Sequence, residues 1–238
     1  MEKVLILIPA YNEGTRIGDV LKGIHDVVPD YDILVVDDGS RDNTASAAEA
    51  AGAMVLRPPF NLGYGAAVQA GFKYALWQGY EYVVQMDADG QHPPKYIRDL
   101  LDPVTKGLAD VAIGSRFLRD TGYPMPFAKK IGVCIFSSIV SVVTGKTVKD
   151  PTSGFQAMNG KVLQVYVSDA YPVDFPDADV LIMLHKRGFR FLEVPVEMTP
   201  NPKETTMHSG VATLYYIFKM FLSILVTLLR KESGGTGR

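Results

Sequence analysis

Short apolar runs rich in β-branched residues alternate with longer amphipathic stretches through the first half of the chain. "VLILI" (Val4 to Ile8), "ILVVD" (Ile33 to Asp37), "AMVLR" (Ala53 to Arg57), "YVVQM" (Tyr82 to Met86) and "VAIG" (Val111 to Gly114) read as strands buried on both faces. The stretches between them predict helices at about Thr15 to Val27, Asp42 to Ala51, Gly65 to Gln78 and Pro94 to Thr105. Repeated strand-helix-strand units of this kind make an α/β protein with a mainly parallel sheet. No internal repeat or low-complexity linker interrupts the pattern before the last six residues.

The polar clusters fall where these strands end. "PAYNE" (Pro9 to Glu13) follows the first, "DDGS" (Asp37 to Ser40) the second, "DADGQ" (Asp87 to Gln91) the fourth and "GSR" (Gly114 to Arg116) the fifth. Open parallel sheets bind ligands beyond the carboxyl ends of their strands, so the clusters predict one site on one rim.

A formal net charge of -2, with no dense basic run in 238 residues, argues against a nucleic-acid partner. The single cysteine, Cys134, has no internal partner, and "MEKVLILIPA" lacks the features of a signal peptide, so the expected setting is a reducing, cytoplasmic one. His25, His92, His185 and His208 are not spaced as a metal set and read as surface or packing residues.

Asp87 and Asp89, two residues apart beyond an apolar run, can reach a hard divalent cation, with the amide oxygen of Gln91 as a neutral third donor. Mg²⁺ or Mn²⁺ suits such oxygen ligands, and so few protein groups leave positions for substrate phosphates. The same residues also suit a plain loop, with Asp87 capping the helix near Pro94 and Asp89 solvated. Asp37 and Asp38 likewise fit a turn before a helix capped by Ser40 or Asp42.

The order of blocks separates these readings. "LIPAYNE", "VVDDGSRDNT", "NLGYGAAVQAG", "MDADGQHPP", "IGSRF", "DPTSGFQAM" and "GFRFLEVPV" together resemble family 2 of the inverting nucleotide-sugar glycosyltransferases, from about Lys3 to Met198. Within it, "DADGQHPP" and "DPTSGF" look most like the polyprenyl-phosphate sugar transferases, such as dolichyl-phosphate mannose synthase. The resemblance implies a GT-A fold, a Rossmann-like nucleotide half continuous with an acceptor half, over residues 1–208. It implies that Pro9, Tyr11 and Glu13 line the base and ribose pocket, that Asp38 hydrogen-bonds the base, and that Asp87 contacts ribose or metal-bound water. Asp89 and Gln91 would ligate the metal, with Arg116 at the diphosphate or acceptor phosphate. "DPTSGF" would shape the acceptor side, while "NLGYGAAVQAG", lacking the Walker lysine and the Rossmann spacing, reads as a helix-start loop near the nucleotide. The chain departs from the family in two places. The arginine and serine expected before "DPTSGF" are Lys129 and Val133, so Lys129 or Lys130 would hold the acceptor phosphate. After "EVPVEM" the family's arginine is replaced near Asn201, leaving Lys203 as the nearest base on the donor side.

The implied reaction is a single in-line displacement with inversion. A phosphate acceptor is already ionised and needs no strong base, whereas a glycan or glycolipid hydroxyl acceptor would need one from Asp174, Asp177 or Asp179. A phosphatase of the haloacid dehalogenase type carries its acidic motif on the first strand, and here three strands precede "DADG". A non-catalytic nucleotide-sugar sensor would have little reason to keep Asp38, Asp87, Asp89 and Arg116 together.

Two apolar segments stand outside this scheme. "IGVCIFSSIVSVVTG" (Ile131 to Gly145), flanked by Lys129, Lys130 and Lys146, is too short to span a bilayer and reads as interfacial or buried. In "VATLYYIFKMFLSILVTLL" (Val211 to Leu229), Lys219, Ser223 and Thr227 fall at i, i+4 and i+8 and form one narrow polar stripe on an apolar amphipathic helix. Residues 209–238 are therefore expected to lie in a membrane interface or to pair two copies. That arrangement makes the protein peripheral on the cytoplasmic side, with a separate membrane protein supplying any span.

Overall fold

The computed structural model describes residues 2–119, 125, 127–172, 174, 176–199 and 211–230. In chain order the elements are β1 (Val4–Ala10), α1 (Ile17–Val27), β2 (Asp32–Asp37), α2 (Thr44–Ala50), β3 (Met54–Leu56), α3 (Tyr64–Trp77), β4 (Tyr82–Gln85), α4 (Ile97–Thr105), β5 (Val111–Ser115), α5 (Phe127–Thr144), β6 (Gln156–Asn159), α6 (Gly160–Tyr166), α7 (Ala178–Lys186), β7 (Phe191–Pro195) and α8 (Val211–Leu229). Five strands and four helices stand where the hydrophobic pattern puts them, and a short 3₁₀ turn at Pro94–Tyr96 leads into α4.

The strands form one seven-stranded sheet in the order β3-β2-β1-β4-β6-β5-β7. It is parallel except for β6, which runs antiparallel to both β4 and β5, with Gln85 and Ile113 both opposite Gln156. The reversed strand matters for function. Its beginning, not its end, lies at the rim where β4 and β5 terminate, so the "DPTSGF" loop before β6 is delivered to the same edge as "DADGQ" and "GSR".

Helices cover both faces. On one, Ile17, Leu21 and Ile24 of α1 and Ile97, Leu100 and Val104 of α4 bury their i, i+3/4, i+7 stripes against Ile6, Ile8, Val84 and Ala112. On the other, Val68 and Phe72 of α3, Phe136 and Val140 of α5, Leu181 and Leu184 of α7, and Met220 and Ile224 of α8 close over Leu5, Leu7, Val83 and Ile113. Each such side chain, fully withdrawn from water, contributes roughly 1.5–3 kcal/mol.

The polar stripe of α8 faces the protein. Lys219 Nζ donates to Asp174 Oδ2 at 2.7 Å, and Ser223 Oγ donates to the buried Asp179 carboxylate at the start of α7. Lys186 Nζ donates to the carbonyls of Thr227 at 2.7 Å, Leu228 at 3.1 Å and Arg230 at 2.7 Å, capping the last turn of α8 with a positive charge. Phe218, Phe221, Leu222, Leu225 and Leu229 are left pointing outward, and Ile131, Ile135 and Val142 of α5 are also exposed. The two helices touch through Phe136 and Phe221, ring centroids 5.7 Å apart. Among the described residues no helix is long and apolar enough to cross a membrane.

Candidate active site

Asp87 leaves the end of β4 and is held from both layers of the protein. From the α3 side, Tyr64 Oη donates to Asp87 Oδ1 at 3.1 Å and accepts from Gln85 Nε2 at 3.0 Å. From the α1/α4 side, His92 Nδ1 accepts the Asp87 backbone N–H at 2.9 Å, and His92 Nε2 lies 3.7 Å from Asp87 Oδ2. A ring that accepts at Nδ1 carries its proton on Nε2, and at 3.7 Å that nitrogen packs beside the carboxylate without a hydrogen bond to it. Its other support is Phe155, stacked on the imidazole at 4.9 Å and 12°. Burial pushes the His92 pKa down to about 4. The charges of Asp89 and Asp150 pull it up and that of Arg116 pulls it down, and the ring is neutral at pH 7. Burial raises the Asp87 pKa against the opposing pulls of the Tyr64 hydrogen bond and Arg116. Burial and the Asp87 charge raise the Tyr64 phenol well above its ordinary value, so it stays a donor.

Glycine at position 154 is required by this packing. A Cβ there would lie 2.9 Å from Tyr64 Oη and 3.5 Å from Asp87 Oδ2. Gly154→Ala is expected to push Tyr64 off Asp87, costing about 1–3 kcal/mol of stability and a larger share of turnover. Thermal unfolding measured beside transfer rate checks this, and a wild-type rate would show that the contact is dispensable.

The Asp89–Gln91 turn is closed by the Gln91 N–H donating to Asp89 Oδ1 at 2.9 Å, and Thr199 N–H donates to the Gln91 carbonyl at 3.0 Å, tying in the segment after β7. Asp87, Asp89 and Gln91 each offer a side-chain oxygen, the donor type that suits a hard cation. Among the described residues no three His, Cys, Asp or Glu side chains converge into a closed cage.

Beyond β1 and β2 the loops are knitted together. Asn12, at φ 57°, donates its N–H to Ser40 Oγ and accepts from Arg41 N–H, both at 2.9 Å, and Glu13 N–H donates to Thr44 Oγ1 at 2.9 Å. Asp38 is buried, and its two oxygens accept the N–H groups of Leu62 at 2.7 Å and Gly63 at 2.9 Å. It thereby fixes the loop that opens α3. Pro9 is buried beneath, and Tyr11 is exposed on the rim.

The bidentate fork of Arg116, expected at a phosphate, closes here on Asp150. Nε donates to Asp150 Oδ2 at 2.7 Å, Nη2 to Oδ1 at 2.6 Å, and the Arg116 backbone N–H to Oδ2 at 3.0 Å. Thr152 Oγ1 accepts a further bond from Nη2 at 3.1 Å. Asp150 is itself fully buried, and its N–H and that of Lys149 donate to the Glu193 carboxylate of β7 at 2.7 and 2.9 Å. Arg116 thus binds "GSR" to "DPTSGF", with its guanidinium still within electrostatic reach of Asp87 and His92.

The rim gathers Asp87, Asp89, Gln91 and Arg116 around His92, with Pro9, Tyr11, Glu13 and Asp38 on the β1–β2 side. Lys203 and the side chain of Lys129 lie outside the described residues. Sequence reasoning gave Tyr64 and Glu193 no role of their own, read His92 only as a surface or packing residue, and took Asp150 only as the first residue of the "DPTSGF" turn. For His92 a signal was present, since a histidine three residues after Asp89 and just before two prolines sits in a turn too tight for a free surface side chain.

The seven-stranded, mostly parallel sheet flanked by helices, with acids and an arginine at its carboxyl rim, has the GT-A fold. Residues 5–164 match glycosyl transferase family 2, and the chain belongs to that family. It is 32% identical over 230 residues to the polyprenol monophosphomannose synthase of Mycolicibacterium smegmatis, covering 92% of this chain and 86% of that protein. It is 34% identical over 221 residues to the undecaprenyl-phosphate mannosyltransferase of Micrococcus luteus, covering 88% and 89%. Among solved structures, glucosyl-3-phosphoglycerate synthase of Mycobacterium tuberculosis matches the fold with a TM-score of 0.73 at 19% identity, over 98% of this chain and 82% of that one. The same synthase crystallised with Mn²⁺ and uridine-diphosphate-glucose gives a TM-score of 0.69 at 20% identity, over 98% and 81%.

Proposed function

We propose that the protein transfers a hexose from a nucleoside-diphosphate sugar to a polyprenyl phosphate, as a peripheral enzyme on the cytoplasmic face of a membrane. The observation that carries this reading is the orientation of α8: its polar stripe is turned inward onto Asp174 and Asp179, and its apolar face is turned outward. That inward turn engages two of the three acids that a hydroxyl acceptor would need as its base, whereas an ionised phosphate acceptor needs none. The outward face suits an acceptor carried by lipid. The two mannosyltransferase relatives, named for polyprenyl phosphates as acceptors, support the same class.

On this reading Asp87, Asp89 and Gln91 would hold Mg²⁺ or Mn²⁺, which when bound supplies positive charge to the departing nucleoside diphosphate. Tyr11, Pro9 and Glu13 line the base and ribose pocket. Asp38 acts on the base side chiefly by fixing the 61–63 loop. Arg116 orients the acceptor loop and adds its charge to the phosphate region, and Lys129 and Lys203 complete the acceptor and donor sides. Residues 1–208 form the catalytic unit, and residues 209–238 hold it at the lipid surface. Attack in line from the acceptor phosphate inverts the anomeric carbon.

The test uses the full chain, Mg²⁺ or Mn²⁺, a panel of sugar nucleotides, and polyprenyl phosphate in anionic liposomes. A lipid product heavier by one hexose, with the anomeric configuration opposite to the donor by proton NMR, is the expected result. Transfer to a soluble glycan in place of the lipid, or a retained configuration, would overturn the reading.

A further inference from the structure

We propose that Tyr64 and His92 are positioning residues for Asp87, setting the carboxylate's direction and thereby the strength of metal–nucleotide binding. The inference rests on the donor-site reading above. The geometry is a two-sided grip. Tyr64 Oη meets Oδ1 at 3.1 Å from the α3 layer, and His92 stands by Oδ2 and the backbone N–H from the other layer. Neither residue is itself loose. Tyr64 is fixed by Gln85 Nε2 at 3.0 Å and walled by Gly154, while His92 is stacked on Phe155, the next residue along.

Both supports of the grip, Gly154 and Phe155, belong to "DPTSGF", so the acceptor-side loop backs the donor-side acid on both flanks. A carboxylate side chain in a loop, as Asp87 is beyond the end of β4, loses rotamer freedom when it is gripped. One donor on Oδ1, an imidazole packed beside Oδ2 and an anchored backbone N–H together select one orientation and leave the remaining lone pairs for a cation. Outer partners of this kind typically change metal affinity by about 10–100-fold when removed.

The experiment measures Mn²⁺ binding by electron paramagnetic resonance, in the presence of UDP or GDP, for the full chain and for Tyr64→Phe, His92→Ala and His92→Asn. UDP and GDP binding in EDTA and thermal unfolding are measured in parallel. Tyr64→Phe is expected to weaken Mn²⁺ binding about tenfold while metal-free nucleotide affinity stays within about twofold. His92→Ala should weaken it further. His92→Asn, whose side-chain oxygen can still accept the Asp87 N–H, should recover part of the loss. Mn²⁺ affinity unchanged in Tyr64→Phe and His92→Ala, or lost only in proportion to metal-free binding and melting temperature, would overturn the positioning role alone. A wild-type chain that binds neither Mn²⁺ with UDP nor Mn²⁺ with GDP would overturn the donor-site reading and the grip with it.

Discussion

Asp89→Ala is expected to lower transfer roughly a thousandfold or more, equivalent to about 4 kcal/mol of lost transition-state stabilisation. The size follows from how few protein oxygens the rim offers a cation: removing one carboxylate of two leaves Asp87 and a neutral amide. Asp89 also accepts the Gln91 N–H at 2.9 Å, so alanine loosens the turn as well as deleting a charge. Asp89→Asn separates the two effects, because its side-chain oxygen can still close the turn. If the carboxylate acts through the metal, both variants lose Mn²⁺-dependent nucleotide binding and both keep metal-free binding, with unfolding temperatures close to wild type. Asn-variant turnover near the wild-type rate would remove Asp89 from the charge chemistry and leave it a turn residue.

The first half of this fold was legible in the chain because each strand is a continuous apolar run and each helix carries a 3.6-residue stripe, and the two periods do not resemble one another. The second half was not. β6 is four residues, "QAMN", with polar side chains at both ends, and it is buried because strands lie on both sides of it rather than because its composition demands it. β7, "FLEVP", ends in proline and carries Glu193, whose inward role is to receive the Lys149 and Asp150 N–H groups. The site divides in the same way. The acids and the arginine stood out as charges at strand ends, but Tyr64 acts through a neutral hydrogen bond to a residue 23 positions away, which local spacing does not encode. His92 acts on the backbone of Asp87 five residues back, where the tight turn before two prolines is the one local signal. The polar stripe of α8 was visible at i, i+4 and i+8. Its direction was not, because Asp174, Asp179 and Lys186 give it a protein surface to face where periodicity alone would turn it to water.

Asp150→Asn is expected to destabilise the protein by about 3–5 kcal/mol, because it strips the counter-charge from a guanidinium already withdrawn from water. Asp150 is fully buried, Arg116 largely so, and the pair makes two side-chain bonds at 2.6 and 2.7 Å besides the backbone bond to the same carboxylate. For a chain of this length each 1 kcal/mol corresponds to about 2–4 °C, so the melting temperature should fall by roughly 6–20 °C. The double variant Arg116→Met with Asp150→Leu removes both charges and should recover much of that loss, since an apolar pair of similar volume needs no compensation. Its transfer activity should stay low, because "GSR" and "DPTSGF" are then joined by packing alone and the charge beside Asp87 is gone. Thermal unfolding and transfer rates of the single and double variants decide the matter. Recovery of both stability and turnover in the double variant would reduce the ion pair to a structural strut, whereas recovery of stability alone assigns Arg116 to the site as well as to the fold.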